Sequence, residues 1–506
     1  MKREKSLFSY IYIFLASFIP LLLCSKCSFI YPFNDWYDIN ILFTIGKGMM
    51  TGKIPYVDFI DHKGPYCYLL TGLAYKFSHT TFAGIFIVEV ICMFLFLLLI
   101  NDTIKLYSDK NYFGLFPFVS FAIVSSRGFV HGGSMEELSL PILMFALYTL
   151  IRYIRKNEIS YPVILLNGFL AGVLFWSKFT LVGLFLAWVI LFAVFYIINK
   201  KYSELLKSAI IFLIGFIIAT LPWIIYFTFK NSLNDFLGIY LINNIFGYTN
   251  EAKLSFNDKF ELIIKCALKF YKTKGNLLIT LPVFLGILGV VIFPSKKISL
   301  KERITALITF AITNLGIFYS GHAHDYYGLV SALFLVYFCI LTVLIADKFK
   351  DKKLIDKFTN KPYIFAIVFV IGIVISLFIS DNVYLIKYHK KDLPQYRFAK
   401  IISESDDKSI LNYAFMDCGI YTVLDTVPEI REYCTTNLDY YGLVAKQQKF
   451  VDNKTTKYVI TWNESPLNQD EVLNVYSNIS NNYEIIELCH MVNEGSARTY
   501  TLWQRK

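Results

Sequence analysis

The chain has 506 residues, of which 56% are hydrophobic, 18% aromatic and only 17% charged. Ordinary soluble proteins carry about 25% charged residues, so a soluble globular enzyme is excluded and a polytopic α-helical membrane protein is expected. The formal charge of +11 is read below as a topology signal, and no nucleic-acid partner is implied by it.

The N-terminus, MKREKSLFSYIYIFLASFIPLLLC, pairs a basic start with a long apolar run. It has the outline of a signal peptide, but no small-x-small cleavage site follows, so it is read as a retained first helix. Apolar windows predict eleven spans, at 9–30, 82–100, 112–126, 138–153, 160–176, 180–198, 208–228, 277–293, 304–319, 326–346 and 362–381. Every second connection is short and basic: Lys2/Arg3/Lys5, Lys105/Lys110, Arg152/Arg155/Lys156, Lys200/Lys201/Lys207, Lys296/Lys297/Lys301/Arg303 and the run from Lys348 to Lys361. Such loops stay in the cytoplasm, which puts the N-terminus inside. Segments 31–81, 127–137, 177–179, 229–276, 320–325 and the tail then face outward. Residues 1–381 read as a membrane module and 382–506 as an extracytoplasmic α/β domain. That domain has strand-like runs at 409–415, 457–462 and YTLW near the end, with helix-like stretches at 395–405 and 468–480.

The outward segments carry the chemistry. The first holds Asp35, Asp38, Asp58 and Asp61, punctuated by Gly52, Pro55, Gly64 and Pro65. Its stretch 39–50 has helical apolar spacing and is expected to lie along the interface as an amphipathic helix. Asp38, at the start of that helix, reads equally as an N-cap and as an acid or base at the membrane edge. The second, SSRGFVHGGSMEELSLP, supplies Arg127, His131, Glu136 and Glu137; the paired acids also suit the first turn of a helix. Lys178 is the one charge in FWSKFT, either snorkelling to the surface or holding a phosphate. YSGHAHDYYG offers His322, His324, Asp325 and two tyrosines, for hydrogen bonding to substrate, for surface structure or, less readily, for a metal, since nothing fixes a third ligand. Glu89 is an acid inside the second span, where a charge is expensive and often functional, although pairing with a neighbouring helix would also explain it. Cys24 and Cys27 form a CxxC without the second pair that zinc requires. Whether any two of Cys418, Cys434 and Cys489 pair is left open. No Walker loop, Rossmann fingerprint, HExxH or GxSxG occurs.

The pattern Asp38, then Gly52-Lys53-Ile54-Pro55-Tyr56-Val57-Asp58, then Asp61-His62-Lys63-Gly64-Pro65 resembles the first extracytoplasmic loop of GT-C glycosyltransferases. The nearest resemblance is to bacterial family-39-like membrane enzymes related to protein O-mannosyltransferases and aminoarabinose transferases. Gly132-Gly133-Ser134-Met135-Glu136-Glu137 with Pro141 is similar to their second loop, and HAHDYYG more loosely to an HYY-type segment. The resemblance implies a polyprenyl-phosphate sugar donor, a glycan, lipid or protein hydroxyl acceptor, and inverting transfer on the outer face of the cell membrane. In it Asp38 is the catalytic general base. The donor phosphate or sugar falls to Lys63, Arg127, Lys178 and His324. Asp58, Asp61, Glu136, Glu137 and Tyr56 are acceptor-binding or supporting groups. No cofactor is assigned; metal dependence varies among such enzymes, and a divalent cation is compatible with the residues. The rival readings are a flippase or exporter of lipid-linked glycans, a glycan polymerase or ligase using a lipid-pyrophosphate donor, and a catalytically dead sensor. Internal repeats and midplane charges favour transporters; here only Glu89 answers to that.

Overall fold

The computed structural model describes residues 2–247, 255–348, 361–437, 442–493 and 496–506. Most of the expected basic run Lys348–Lys361, and part of the expected outward segment 229–276, lie outside the described residues. The chain forms two compact units, one of residues 1–28, 86–225 and 249–383, the other of residues 29–85, 226–248 and 384–506.

The first unit is helical. Among the described residues of the chain, eight helices are long and apolar enough to cross a membrane, so this is a multi-pass membrane protein. The expected spans at 112–126 and 160–176 are the shorter helices Leu115–Val124 and Tyr161–Phe175. The span expected at 304–319 is Leu300–Ile317, whose first turn carries Lys301, Glu302 and Arg303. The first helix runs from Lys2 to Cys24 and not to residue 30, because the chain turns at Ser25, whose hydroxyl is engaged by Glu89. Aromatic packing joins these helices: the Tyr12 ring lies 4.9 Å from that of Phe113 and 4.7 Å from that of Phe365. Along Tyr202–Phe229 the side chains of Ile210, Leu213, Ile217 and Leu221 are exposed, at the spacing of one helix face that lipid must cover. Arg303 closes the end of the Leu277–Ile292 helix, donating to the carbonyls of Val290 at 3.0 Å and Phe293 at 2.8 Å. Those carbonyls would otherwise lack partners at a helix C-terminus.

The second unit contains the helices Tyr37–Met50 and Pro65–Phe77 and a four-stranded sheet in the order β1-β2-β4-β3. The strands are β1 Ile410–Asn412, β2 Tyr458–Asn463, β3 Tyr483–Asn493 and β4 Ser496–Arg505. β1 and β2 are parallel; β4 runs antiparallel to both β2 and β3. Leu411, Val459 and Trp503 from the sheet meet Val451, Val472 and Ile479 from the helices beside it in one buried core. Helices Pro394–Ser403 and Gln469–Val475 fall where the helix-like stretches were expected. Tyr37–Met50 differs from expectation. Every residue from Asp38 to Gly48 is buried, so the helix is enclosed by protein and does not lie along an interface with one polar face.

Candidate functional site

In the second unit the helix that starts at Tyr37 follows Trp36, whose extended backbone (φ −74°, ψ 122°) is the N-cap. Asp38 therefore sits inside the first turn and is not the cap, where its charge still gains from the helix dipole. The following loop turns at Gly52 (φ +97°) and Tyr56 (φ +70°). Positive φ costs a tyrosine about 1–3 kcal/mol unless its surroundings enforce it, and here they do. The buried Tyr56 hydroxyl donates to the Lys63 carbonyl at 2.7 Å, and Arg431 donates to the Tyr56 carbonyl at 2.8 Å. Asp58 accepts from the Ile54 amide at 2.6 Å, closing the turn.

These bonds fix the Asp61-His62-Lys63 segment. The Tyr68 hydroxyl donates to Asp61 Oδ2 at 2.9 Å, and the Asn244 amide donates to the His62 carbonyl at 2.7 Å. His62 Nδ1 lies 3.4 Å from Asp61 Oδ1. Lys63 Nζ then comes within 3.8 Å of Asp38 Oδ1, both side chains being about 90% buried. At an effective dielectric of about 20, such a pair attracts by about 4 kcal/mol, which offsets part of the cost of enclosing two charges. Burial pushes the Asp61 carboxyl above the usual carboxylate range; the Lys63 cation, the Tyr68 hydroxyl and the His62 amide oppose that, and the Asp38 charge adds to it. Asp35 is buried three residues ahead of Asp38.

The same helix is held from the 384–506 segment by groups that sequence reasoning missed. Thr44 donates to Asp417 Oδ2 at 2.7 Å. Lys47, almost fully enclosed, donates to the Tyr421 carbonyl at 2.8 Å and pairs with Asp425 at 3.2 Å. Burial pulls the Lys47 ammonium down from its ordinary value, against the pull of Asp425. The one hint in the sequence was a lysine inside an otherwise apolar helical stretch.

The first unit gathers the segments around 130, 178 and 325. Ser134 caps the helix Met135–Lys156, its side chain accepting from the Glu137 amide, so the paired acids do occupy a first turn. Glu137 Oε2 and Glu89 Oε1 both accept from the Gly133 amide, at 3.0 and 2.7 Å, while Ser25 donates to Glu89 at 2.8 Å. Glu89, with no exposed surface, thus ties the first helix to the glycine turn. Gly132 needs its freedom: φ is +91°, and a Cβ there would collide with the Ser25 hydroxyl and lie 2.7 Å from Glu89 Oε1.

Lys178 forms a short ion pair with the buried Glu136 and lies 3.9 Å from the centre of the Tyr327 ring and 5.1 Å from that of Tyr326. The His324 ring stacks on Tyr326 at 5.6 Å. Arg127 Nε donates to Asp325 at 2.8 Å. Arg127, Glu136, Lys178 and His324 are therefore brought together around the 324–327 turn. Among the described residues no three His, Cys, Asp or Glu side chains converge as a metal-ligand set, and Cys418, Cys434 and Cys489 are buried thiols.

The family model described as dolichyl-phosphate-mannose-protein mannosyltransferase matches residues 62–238. The match takes in His62, Lys63, Arg127, Glu136, Glu137 and Lys178 and begins downstream of Asp38. The fold is similar to the crystal structure of ArnT from Cupriavidus metallidurans bound to undecaprenyl phosphate, with a TM-score of 0.52 at 12% identity over 99% of this chain and 98% of that one. The same protein in its apo state aligns with a TM-score of 0.49 at 10% identity, with the same coverage. No curated protein matches the chain by sequence.

Proposed function

Taking the chain as a GT-C membrane glycosyltransferase by fold and family pattern, we propose that it moves a sugar from a polyprenyl-phosphate donor to a hydroxyl acceptor on the outer membrane face. The bilayer holds the donor; the acceptor is a glycan, lipid or protein hydroxyl. Asp38 is the general base, and the transfer inverts the anomeric carbon.

The chemistry asks for few groups. A sugar or protein hydroxyl is a poor nucleophile, so its proton must leave as its oxygen bonds the anomeric carbon. In this reading the Asp38 carboxylate takes that proton. The bond from the anomeric carbon to the phosphate oxygen breaks on the opposite face, and polyprenyl phosphate departs with the electron pair. A phosphate leaving group needs cationic stabilisation rather than a general acid. Lys63 is the first candidate for it, with Arg127, Lys178 and His324 as the others. Asp61 and Tyr56 hold the Lys63 segment in register, and Asp58 shapes the turn before it. Glu136 orients Lys178, and Glu137 braces the glycine turn.

The observation that carries this reading is the 3.8 Å approach of Lys63 to Asp38. Two residues twenty-five positions apart, one at each end of the motif, meet with both side chains about 90% buried. The similar ArnT structure contains undecaprenyl phosphate, which favours a lipid-phosphate donor. Residues 382–506, the outward domain of this reading, include the groups that brace the Asp38 helix.

The test is incubation of the purified protein with labelled polyprenyl-phosphate sugars. Release of polyprenyl phosphate by transfer or hydrolysis supports the proposal. Movement of intact donor across a vesicle bilayer, without bond cleavage, would replace it with a flippase.

A further inference from the structure

We propose that a second, water-facing cavity in the 29–85, 226–248 and 384–506 unit binds a sugar residue bearing an anionic group, and that this residue belongs to the acceptor. The word acceptor rests on the function proposed above; the binding site itself does not.

The cavity encloses about 310 Å³. Small-molecule sites run from about 300 to 1,000 Å³, so this one suits a single ring and not a chain of them. Its walls are chemically divided. Ile60 and Ile239, both buried, offer an apolar surface of the kind that packs on the C–H face of a pyranose. Asn234 and Asp235, exposed on the short turn before Gly238, offer hydrogen-bond groups for ring hydroxyls. Arg431 and Lys446 supply two cations against the one carboxylate of the lining.

Arg431 is held in place and left partly unused. Its Nη2 donates to the Tyr56 carbonyl, while its Nε is buried without a hydrogen-bond partner. Its side chain is one of the groups lining the cavity. Guanidinium groups favour carboxylate and phosphate through paired donors. Lys446 lies 3.3 Å from Glu432 and keeps its side chain 43% exposed at the rim.

The backbone also points to a ligand here. Residues Leu237–Gly247 wind as a π-helix, a geometry that is rare and frequent at functional sites. Within it a Cβ added to Gly238 would meet nothing within 4 Å, so the helix presents an open face where its own next turn leaves room. Two contacts connect the cavity to the motif loop: Ile60 is the neighbour of Asp61, and Arg431 braces Tyr56. Asn234, Asp235 and the tip of Lys446 are open to water, which suits a hydrated headgroup or glycan and not the tail of a lipid carrier.

The experiment is direct binding to the purified full-length protein, followed by saturation-transfer NMR and calorimetry. The probes are methyl glucuronoside, methyl glucoside 6-phosphate and neutral methyl glucoside. Tighter binding of either anionic glycoside, by at least about tenfold over the neutral one, supports the site, and comparing the two anionic probes tells carboxylate from phosphate. Gly238→Phe should fill the cavity and remove that binding without lowering the thermal unfolding midpoint, and Lys446→Gln should narrow the preference for the anionic probes. Equal binding of the neutral glycoside overturns the anionic assignment; undiminished binding by Gly238→Phe overturns the site. If the native protein binds the saccharide but never cleaves a polyprenyl-phosphate sugar, the enzymatic reading fails while the cavity stands.

Discussion

Thr44 and Asp417 stand 373 positions apart and meet at 2.7 Å, both fully buried. The hydroxyl donates to a carboxyl whose other oxygen accepts from the Gly419 amide at 2.8 Å. One turn further on, Lys47 reaches the Tyr421 carbonyl and Asp425. The helix that opens with Asp38 is thus pinned along its length by residues 417–425. The general base proposed at Asp38 would have to be held to a fraction of an ångström to be effective, and these contacts supply such support from a segment that carries none of the motif.

The support has a pH signature. Burial pushes Asp417 up to about 6, against the opposing effects of Thr44, the Gly419 amide and Lys47. Between 3.8 and about 6 the folded chain keeps a proton that the unfolded chain has released. Stability from this group is therefore complete below pH 3.8 and is lost as pH rises through about 6, a cost of about 3 kcal/mol. Asp417→Asn should flatten the decline of the thermal midpoint between pH 4 and pH 7 relative to the native protein. Parallel declines in both proteins would place the titration elsewhere.

Asp38→Asn should lower sugar transfer by about 10²- to 10⁴-fold, the usual worth of a general base, with membrane insertion and protein level intact but a lower thermal midpoint, because the buried Lys63 loses its carboxylate. Asp35→Asn serves as the control, since Asp35 is buried nearby but was not drawn into the motif. Retained transfer in Asp38→Asn together with loss in Asp35→Asn would move the base to Asp35. Lys63→Ala should also reduce transfer, by at least about tenfold, and weaken the retention of polyprenyl phosphate.

What could be read in the sequence was local. Helix positions, the strands at 410–412 and 458–463, and the first-turn placement of Glu136 and Glu137 follow from periodicity and capping chemistry over a few residues. β3 was not foreseen, because Glu484 and Glu487 interrupt its alternation and the register slips between Ile485 and Glu487. The burial of Tyr37–Met50 on every side was not legible either. Its spacing suggested one apolar face, and the partners that let Lys47 be enclosed, Asp425 and the Tyr421 carbonyl, lie far downstream. Likewise Glu89 stood out as a misplaced charge, but only the fold supplies Ser25 and the Gly133 amide as its partners.

That last arrangement predicts a stability defect. Glu89→Ala would leave the buried Ser25 hydroxyl without its acceptor and the Gly133 amide with Glu137 alone, and a buried donor left unmade costs about 1–3 kcal/mol. Glu89→Gln keeps an acceptor and should lose less. Gly132→Ala should be comparably damaging for a different reason, since both its φ and the Ser25 hydroxyl forbid a methyl there. Thermal midpoints in detergent would rank Gln above both Ala variants. Indistinguishable midpoints for all three would mean that the turn is not held by Glu89.

The Lys178–Glu136 pair allows structure and chemistry to be separated. Lys178→Met leaves the Glu136 carboxylate buried without its cation, and breaking a buried pair on one side costs about 3–5 kcal/mol. Lys178→Met/Glu136→Gln removes both charges and should recover most of the lost stability, because no charge is then stranded. A lysine whose only work is to neutralise Glu136 would give back activity along with stability in the double variant. A lysine that also steadies the departing phosphate would not, and the double variant would be stable yet impaired by at least about tenfold in transfer. The proposed donor role of Lys178 requires the second result; recovery of both midpoint and transfer would assign it to structure alone.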